Sequence, residues 1–125
     1  MSEQKKILVV DDEQDLVETI RSKLSSEGYK VFAAHTGVEA LEKAKDTKPD
    51  LILLDIMMPE LNGYQVCKKI KEDDSLKNIP VVMLTAKAQE SDKFWGLETG
   101  ADDYITKPFE FKSLLKTITK HLKHE

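Results

Sequence analysis

Residues 51–55 read Leu51-Ile52-Leu53-Leu54-Asp55: four apolar residues without interruption, then a carboxylate. A half-buried strand alternates apolar and polar residues, whereas an unbroken run suits a strand covered on both faces, as in a parallel sheet. Working outward, the same pattern recurs at Ile7-Leu8-Val9-Val10 and at Val81-Val82-Met83-Leu84, which Pro80 opens as a first strand residue. Two mixed runs, Lys30-Val31-Phe32-Ala33-Ala34 and Asp103-Tyr104-Ile105-Thr106, fit sheet edges. In chain order these are β1 (Ile7 to Val10), β2 (Lys30 to Ala34), β3 (Leu51 to Leu54), β4 (Val81 to Leu84) and β5 (Asp103 to Thr106).

The segments between them carry helical spacing. Leu16, Val17, Ile20 and Leu24 mark α1, closed by Gly28 as a C′ residue. Val38, Leu41 and Ala44 mark a shorter α2 that ends before Pro49; Val66, Cys67 and Ile70 mark α3, after an Asn62-Gly63 turn. Phe94 and Leu97 mark α4, ended by Gly100, and Phe111, Leu114, Leu115, Ile118 and Leu122 mark α5. Strictly alternating strands and helices predict a doubly wound α/β fold with a five-stranded parallel sheet. The order 2-1-3-4-5, the flavodoxin-like arrangement, covers the apolar runs best, with five helices on the two faces.

The chain has 125 residues, 40% hydrophobic and 34% charged, which suits one globular domain with a core of its own. Its formal charge of −4 argues against nucleic acid as a direct partner. The single cysteine, Cys67, excludes an internal disulfide, predicts a reducing compartment, and reads as core packing on α3. No apolar run reaches the length of a signal h-region or a membrane span, so a soluble, cytoplasmic protein with no membrane partner is expected.

In such a sheet, ligands bind at the C-terminal strand ends near the switch point. There the sequence places Asp11-Asp12-Glu13 after β1, Asp55 after β3, Thr85 and Ala86 after β4, and Lys107 and Pro108 after β5. Two like charges 4 Å apart repel by about 4 kcal/mol at an effective dielectric of 20. Either these carboxylates titrate upward or a cation sits among them, and a hard divalent ion with oxygen ligands is the cheaper solution. With Lys107 as a fixed positive charge and Thr85 as a hydroxyl donor, the rim suits phosphoryl transfer, with Asp55 on the central strand as nucleophile.

Taken together, Asp11-Asp12, Leu53-Leu54-Asp55-Ile56-Met57-Met58-Pro59, Asn62-Gly63, Leu84-Thr85-Ala86 and Gly100-Ala101-Asp102-Asp103-Tyr104-Ile105-Thr106-Lys107-Pro108-Phe109 closely resemble the receiver domain of bacterial two-component response regulators, in the stand-alone, chemotaxis-regulator-like form. The resemblance covers essentially the whole chain, with one domain over 1–125 and a core over about 5–122. It implies that Asp55 accepts a phosphoryl group from the phosphohistidine of a sensor histidine kinase. Asp12, Asp55 and the backbone carbonyl of Met57 would ligate Mg²⁺ (or Mn²⁺), with Asp11 acting largely through water. Lys107 would pair with the phosphoryl oxygens, across a cis Lys107-Pro108 peptide. Thr85 would swing toward the phosphoryl group and Tyr104 would turn inward, changing an α4-β5-α5 surface for a downstream protein. Passing the phosphoryl group to a histidine phosphotransfer protein is equally open. The kinase would dock on α1 and the β5-α5 loop. Met57 and Lys87, two residues past Asp55 and Thr85, are the expected tuners of phosphate lifetime.

The chain departs from the family at Leu61-Asn62-Gly63, where Met-Asp-Gly is common. It also lacks the arginine on α5 that family dimers carry: its only arginine is Arg21, on α1. A monomer or weak dimer is therefore expected. His35, His121 and His124 fit no ligand spacing and read as solvated; Trp95 either packs α4 on the sheet or, the preferred reading, stands partly exposed. A nucleotide binder would need glycines or hydroxyls after β1, where Asp11-Asp12-Glu13 repels phosphate. A haloacid-dehalogenase-type phosphatase would need an acid two residues after Asp55, where Met57 stands. The binding-class alternative is a receiver that docks a partner without being phosphorylated.

Overall fold

Each of the five apolar runs forms a strand. The computed structural model describes residues 4–56, 61–85 and 100–122. Their elements are β1 (Lys6–Val10), α1 (Gln14–Ser26), β2 (Lys30–Ala34), α2 (Gly37–Thr47), β3 (Leu51–Asp55), α3 (Gly63–Glu72), β4 (Val81–Thr85), β5 (Asp103–Thr106) and α5 (Phe111–Leu122). Residues 86–99, on which α4, Lys87 and Trp95 were expected, lie outside the described residues, as do Met57 and His124. Four of the five predicted helices are therefore seen among the described residues.

The strands pair in parallel in the order β2-β1-β3-β4-β5, as expected, with the mixed runs at the edges. The continuous apolar runs divide by alternation between two cores. Leu8, Val10, Ile52, Leu54, Val81 and Met83 face α2 and α3, packing on Ala40, Ala44, Val66, Cys67 and Ile70. Ile7, Val9, Leu51, Leu53, Val82 and Leu84 face α1 and α5, packing on Val17, Ile20, Leu24, Leu114 and Ile118. Burying one such leucine contributes roughly 1.5–3 kcal/mol, which is why no polar residue interrupts these runs.

Val38, one of the residues that mark α2, is 55% exposed, because α2 turns Gly37, Ala40 and Ala44 inward. Small side chains let that helix lie close: a Cβ on Gly37 would stand 2.8 Å from the Cβ and carbonyl oxygen of Leu61. Asn62-Gly63 is a helix start rather than a turn. Asn62 caps α3 in a reciprocal box with Gln65, and Gly63 is its first residue. His121 is not simply solvated, since its Nε2 lies 2.9 Å from Asp103 Oδ2 and ties α5 to β5. Gly28 closes α1 as expected, with φ of +96° and its N–H donating to the Ser25 carbonyl.

The start of β5 is held by the carboxylate pair before Tyr104. Asp102 accepts from the Val81 N–H at 2.8 Å and from Lys71 Nζ at 2.9 Å, while Asp103 accepts from the Tyr104 N–H. β5 is thereby fixed in register beside β4, with Thr106 opposite Thr85. The registers bring the C-terminal ends of β1, β3, β4 and β5 to one rim.

Candidate functional site

Two strands run one residue further than their apolar runs: Asp55 is the last residue of β3 and Thr85 the last of β4. Asp11 follows β1 directly and keeps the ladder going by donating its N–H to the Ala34 carbonyl. Asp11 is 0%, Asp55 4% and Thr85 3% exposed, and these three are the only buried polar or charged residues among those described. Burying a carboxylate is costly unless it is paired, so a core built for stability alone would carry none of them.

Oxygens of Asp11, Asp12 and Asp55 lie within 4.8 Å of one another. At that separation each like-charge pair costs about 3 kcal/mol at an effective dielectric of 20. Lys107 answers part of this. Its ammonium donates to Asp11 Oδ2 at 2.8 Å and Asp55 Oδ1 at 3.4 Å, and lies 3.6 Å from Glu13 Oε1. Burial by itself would push the lysine pKa down. The hydrogen bond to Asp11 and the charges of Asp55 and Asp11 outweigh it and hold the ammonium above its ordinary range. Lys107 reaches the rim across a cis peptide to Pro108, as the resemblance implied.

One ammonium among three carboxylates leaves net negative charge in a buried place. The donor set is all oxygen, partly buried and partly open at Asp12, which fits a small hard divalent cation such as Mg²⁺. Among the described residues no hydrogen bond or ion pair holds the Asp12 side chain, so its oxygens are available to such an ion.

Thr85 Oγ1 is the other notable atom, buried and without a hydrogen-bond partner among the described residues. An unsatisfied buried hydroxyl costs about 1–3 kcal/mol, and such groups concentrate where a ligand completes them. Tyr104, on the neighbouring strand, is half-buried against the α2–α3 core. The glycine at the start of α3 sets the backbone behind Asp55: a Cβ on Gly63 would stand 2.4 Å from the Asp55 carbonyl oxygen. A hollow of about 360 Å³ opens beside the rim, lined by Leu16, Lys107, Pro108 and Phe109.

Asp11, Asp12, Asp55, Thr85 and Lys107 are thus brought to one rim, as the topology requires, while Met57 and Lys87 lie outside the described residues. Two contacts escaped the sequence reading. Glu13, which the sequence placed on the rim, reaches Lys107, and His35, expected to be solvated, places Nδ1 3.2 Å from the backbone carbonyl of Asp11. The Thr36-x-x-Glu39 spacing, a helix-start signature, could have flagged the second loop. Thr36 caps α2 by accepting from the Glu39 N–H, and Glu39 reaches back to the N–H of His35.

Comparison with known proteins agrees with this geometry. The family description "Response regulator receiver domain" matches residues 7–119. The alkaline phosphatase synthesis transcriptional regulatory protein PhoP of Bacillus subtilis is 53% identical over 119 residues, covering 93% of this chain and 49% of that protein. The chain thus spans about half the length of that curated relative. Among solved structures, chemotaxis protein CheY4 of Vibrio cholerae superposes with a TM-score of 0.91 at 33% identity, covering 94% of this chain and 98% of that one. A putative response regulator of Chloroflexus aurantiacus gives a TM-score of 0.92 at 34% identity, covering 98% and 100%. On the family match and on these relatives, the chain belongs to the response regulator receiver domains of two-component systems.

Proposed function

We propose that this receiver accepts a phosphoryl group on Asp55 from the phosphohistidine of a sensor histidine kinase, in a Mg²⁺-dependent reaction, and signals through its α4-β5-α5 surface. The observation that carries the reading is a buried carboxylate on the central strand with Lys107 Nζ 3.4 Å away and, on the adjacent strand, the Thr85 hydroxyl, unpartnered among the described residues.

A carboxylate oxygen of Asp55 attacks phosphorus in line. The P–N bond to the imidazole breaks, and its electron pair leaves with the ring nitrogen, which takes up a proton. Lys107, held protonated, stays on the transferred oxygens as their charge builds. Asp12, Asp55 and the Met57 carbonyl would hold Mg²⁺ (or Mn²⁺), with Asp11 through water, and the ion supplies charge neutralisation when bound. Asp11 keeps its own carboxylate on Lys107 and so aims the ammonium into the site.

The phosphoryl group carries about −1.5 to −2 of charge in place of the single charge of the Asp55 carboxylate, a net gain of about −0.5 to −1, and it brings new acceptors. Thr85 gains the partner it lacks, and Lys107 a stronger one. Moving a two-state element from 1:99 to 99:1 requires about 5.5 kcal/mol. Hydrogen bonds to charged groups contribute roughly 1.5–3 kcal/mol each, so two or three such contacts are sufficient in scale. Tyr104 sits on the edge strand β5, beside β4, and would turn inward as Thr85 moves. The hollow beside Leu16 and Phe109 suits the kinase, and output passes to a downstream protein or a histidine phosphotransfer protein.

Intact mass after incubation with Mg²⁺ and acetyl phosphate tests the reading. A single added phosphate, absent in Asp55→Ala and in metal-free buffer, supports it. No phosphate with either acetyl phosphate or a histidine kinase would leave a docking module instead.

A further inference from the structure

The Asp12 carboxylate has no tie of its own among the described residues, yet it lies within 4.8 Å of the oxygens of Asp11 and Asp55. Its position must come from the backbone on either side. On the far side, the Glu13 N–H donates to Asp11 Oδ1 at 3.0 Å. On the near side, Asp11 is held twice, by the last residue of β2 and by the first residue of the loop that follows it. The Asp11 N–H donates to the Ala34 carbonyl at 3.2 Å, and the Asp11 carbonyl, the first atom pair of the Asp11–Asp12 peptide, meets His35 Nδ1 at 3.2 Å. A carbonyl only accepts, so Nδ1 carries the hydrogen in this bond. The residue that presents the ring is itself secured: Glu39 Oε1 accepts from the His35 N–H at 2.8 Å.

Resting on the Mg²⁺ reading of the rim, we infer that His35 is a positioning residue for the cation site. Its Nδ1–H fixes the Asp11–Asp12 peptide plane and so holds the Asp12 carboxylate beside Asp11 and Asp55. Groups that orient metal ligands without touching the metal typically set affinity by 10–100-fold when lost. A single bond to backbone in a half-buried setting belongs at the low end of that range.

The test is Mg²⁺ affinity, measured by calorimetry on the unphosphorylated protein without any phosphodonor. His35→Ala is expected to weaken Mg²⁺ about tenfold. His35→Asn, whose side-chain amide falls near the Nδ1 position, is expected to restore affinity to within about threefold of wild type, whereas His35→Gln, whose amide falls further out, is not. Thr36→Ala removes the α2 cap but leaves the ring in place, so it is expected to lower the melting temperature and leave Mg²⁺ affinity unchanged. Equal affinity in wild type and His35→Ala, no rescue by Asn, or equal weakening by Thr36→Ala would each overturn the inference. Absence of Mg²⁺ binding in wild type would instead overturn the metal reading beneath it.

Discussion

Lys107 sits closer to Asp11, at 2.8 Å, than to Asp55, at 3.4 Å. The lysine is thus anchored by the carboxylate that is fully buried and only borrowed by the one proposed to react. That division would let one Asp55 oxygen bond to phosphorus without releasing the ammonium from the rim. Lys107→Ala removes the one cation seen within ion-pair distance of the acidic cluster among the described residues. Breaking a fully buried pair costs about 3–5 kcal/mol, and a partly open one less. A loss of about 1–3 kcal/mol in metal-free urea unfolding is expected, together with phosphorylation by acetyl phosphate slowed at least about tenfold.

Asp12 behaves in the opposite sense. It adds a like charge to the cluster and has no compensating bond among the described residues. Asp12→Asn is therefore expected to raise stability by about 1 kcal/mol in metal-free buffer, since exposure screens the repulsion. The same variant loses most of the stabilisation that Mg²⁺ gives wild type. Paired urea titrations with chelator and with saturating Mg²⁺ read both signs; a variant less stable than wild type under chelator contradicts the repulsion argument.

The strands were legible because a parallel sheet covered on both faces leaves an unbroken apolar trace, as at Leu51 to Leu54. The rim followed from topology, since the registers admit only one edge where Asp11, Asp55, Thr85 and Lys107 can meet. Val38 shows what apolar spacing alone does not tell: close approach of α2 favours Gly37, Ala40 and Ala44 on the buried face and leaves the valine outside. The His35 contact was invisible because it is made across the fold, to the backbone carbonyl of Asp11, and the spacing that set Glu13 on the rim could not name Lys107 as its partner. The His121–Asp103 pair belongs with them, a contact between elements that no local spacing announces.

Gly63 offers a test of how tightly the nucleophile is held from behind. A Cβ there meets the Asp55 carbonyl oxygen at 2.4 Å and Ile56 Cα at 2.8 Å, both backbone atoms that cannot swing aside. Gly63→Ala is expected to cost about 1–3 kcal/mol and to slow phosphorylation, because relief requires moving the end of β3. At Gly28 the space is open but φ is +96°, so Gly28→Ala should cost only about 1 kcal/mol and leave phosphorylation unchanged. Equal phosphorylation rates in both variants would contradict the steric role.

The Asp103 carboxyl predicts an acid-side dependence of stability. Burial pushes its pKa up, but the hydrogen bonds from His121 and the Tyr104 N–H, with the charges of His121 and Lys120, outweigh burial and hold it below the usual range. A folded-state pKa below the unfolded value of about 3.9 gives stability that is fully present above that value. It is lost as pH falls through the lower folded pKa. The stability gap between wild type and Asp103→Asn that is present at about pH 5 should therefore close as pH falls below about 4. Urea unfolding across that range reads it, and a gap that persists at the acid end would contradict the assignment.

Thr85 is proposed to separate the resting state from the signalling state. Its hydroxyl is buried and unpartnered among the described residues, so Thr85→Val keeps the shape and removes an unsatisfied polar group. Unphosphorylated Thr85→Val is expected to be more stable by up to about 1–2 kcal/mol. Phosphorylation of Asp55 should still occur, because the nucleophile and Lys107 are untouched. What should disappear is the link to the surface: Tyr104 would no longer change its environment, by fluorescence or ring resonances, when Asp55 is phosphorylated. On this proposal the hydroxyl carries a standing cost in the resting state that the phosphoryl group would remove, and that difference would bias the switch. A variant that loses stability but retains the Tyr104 response would refute both halves of this argument.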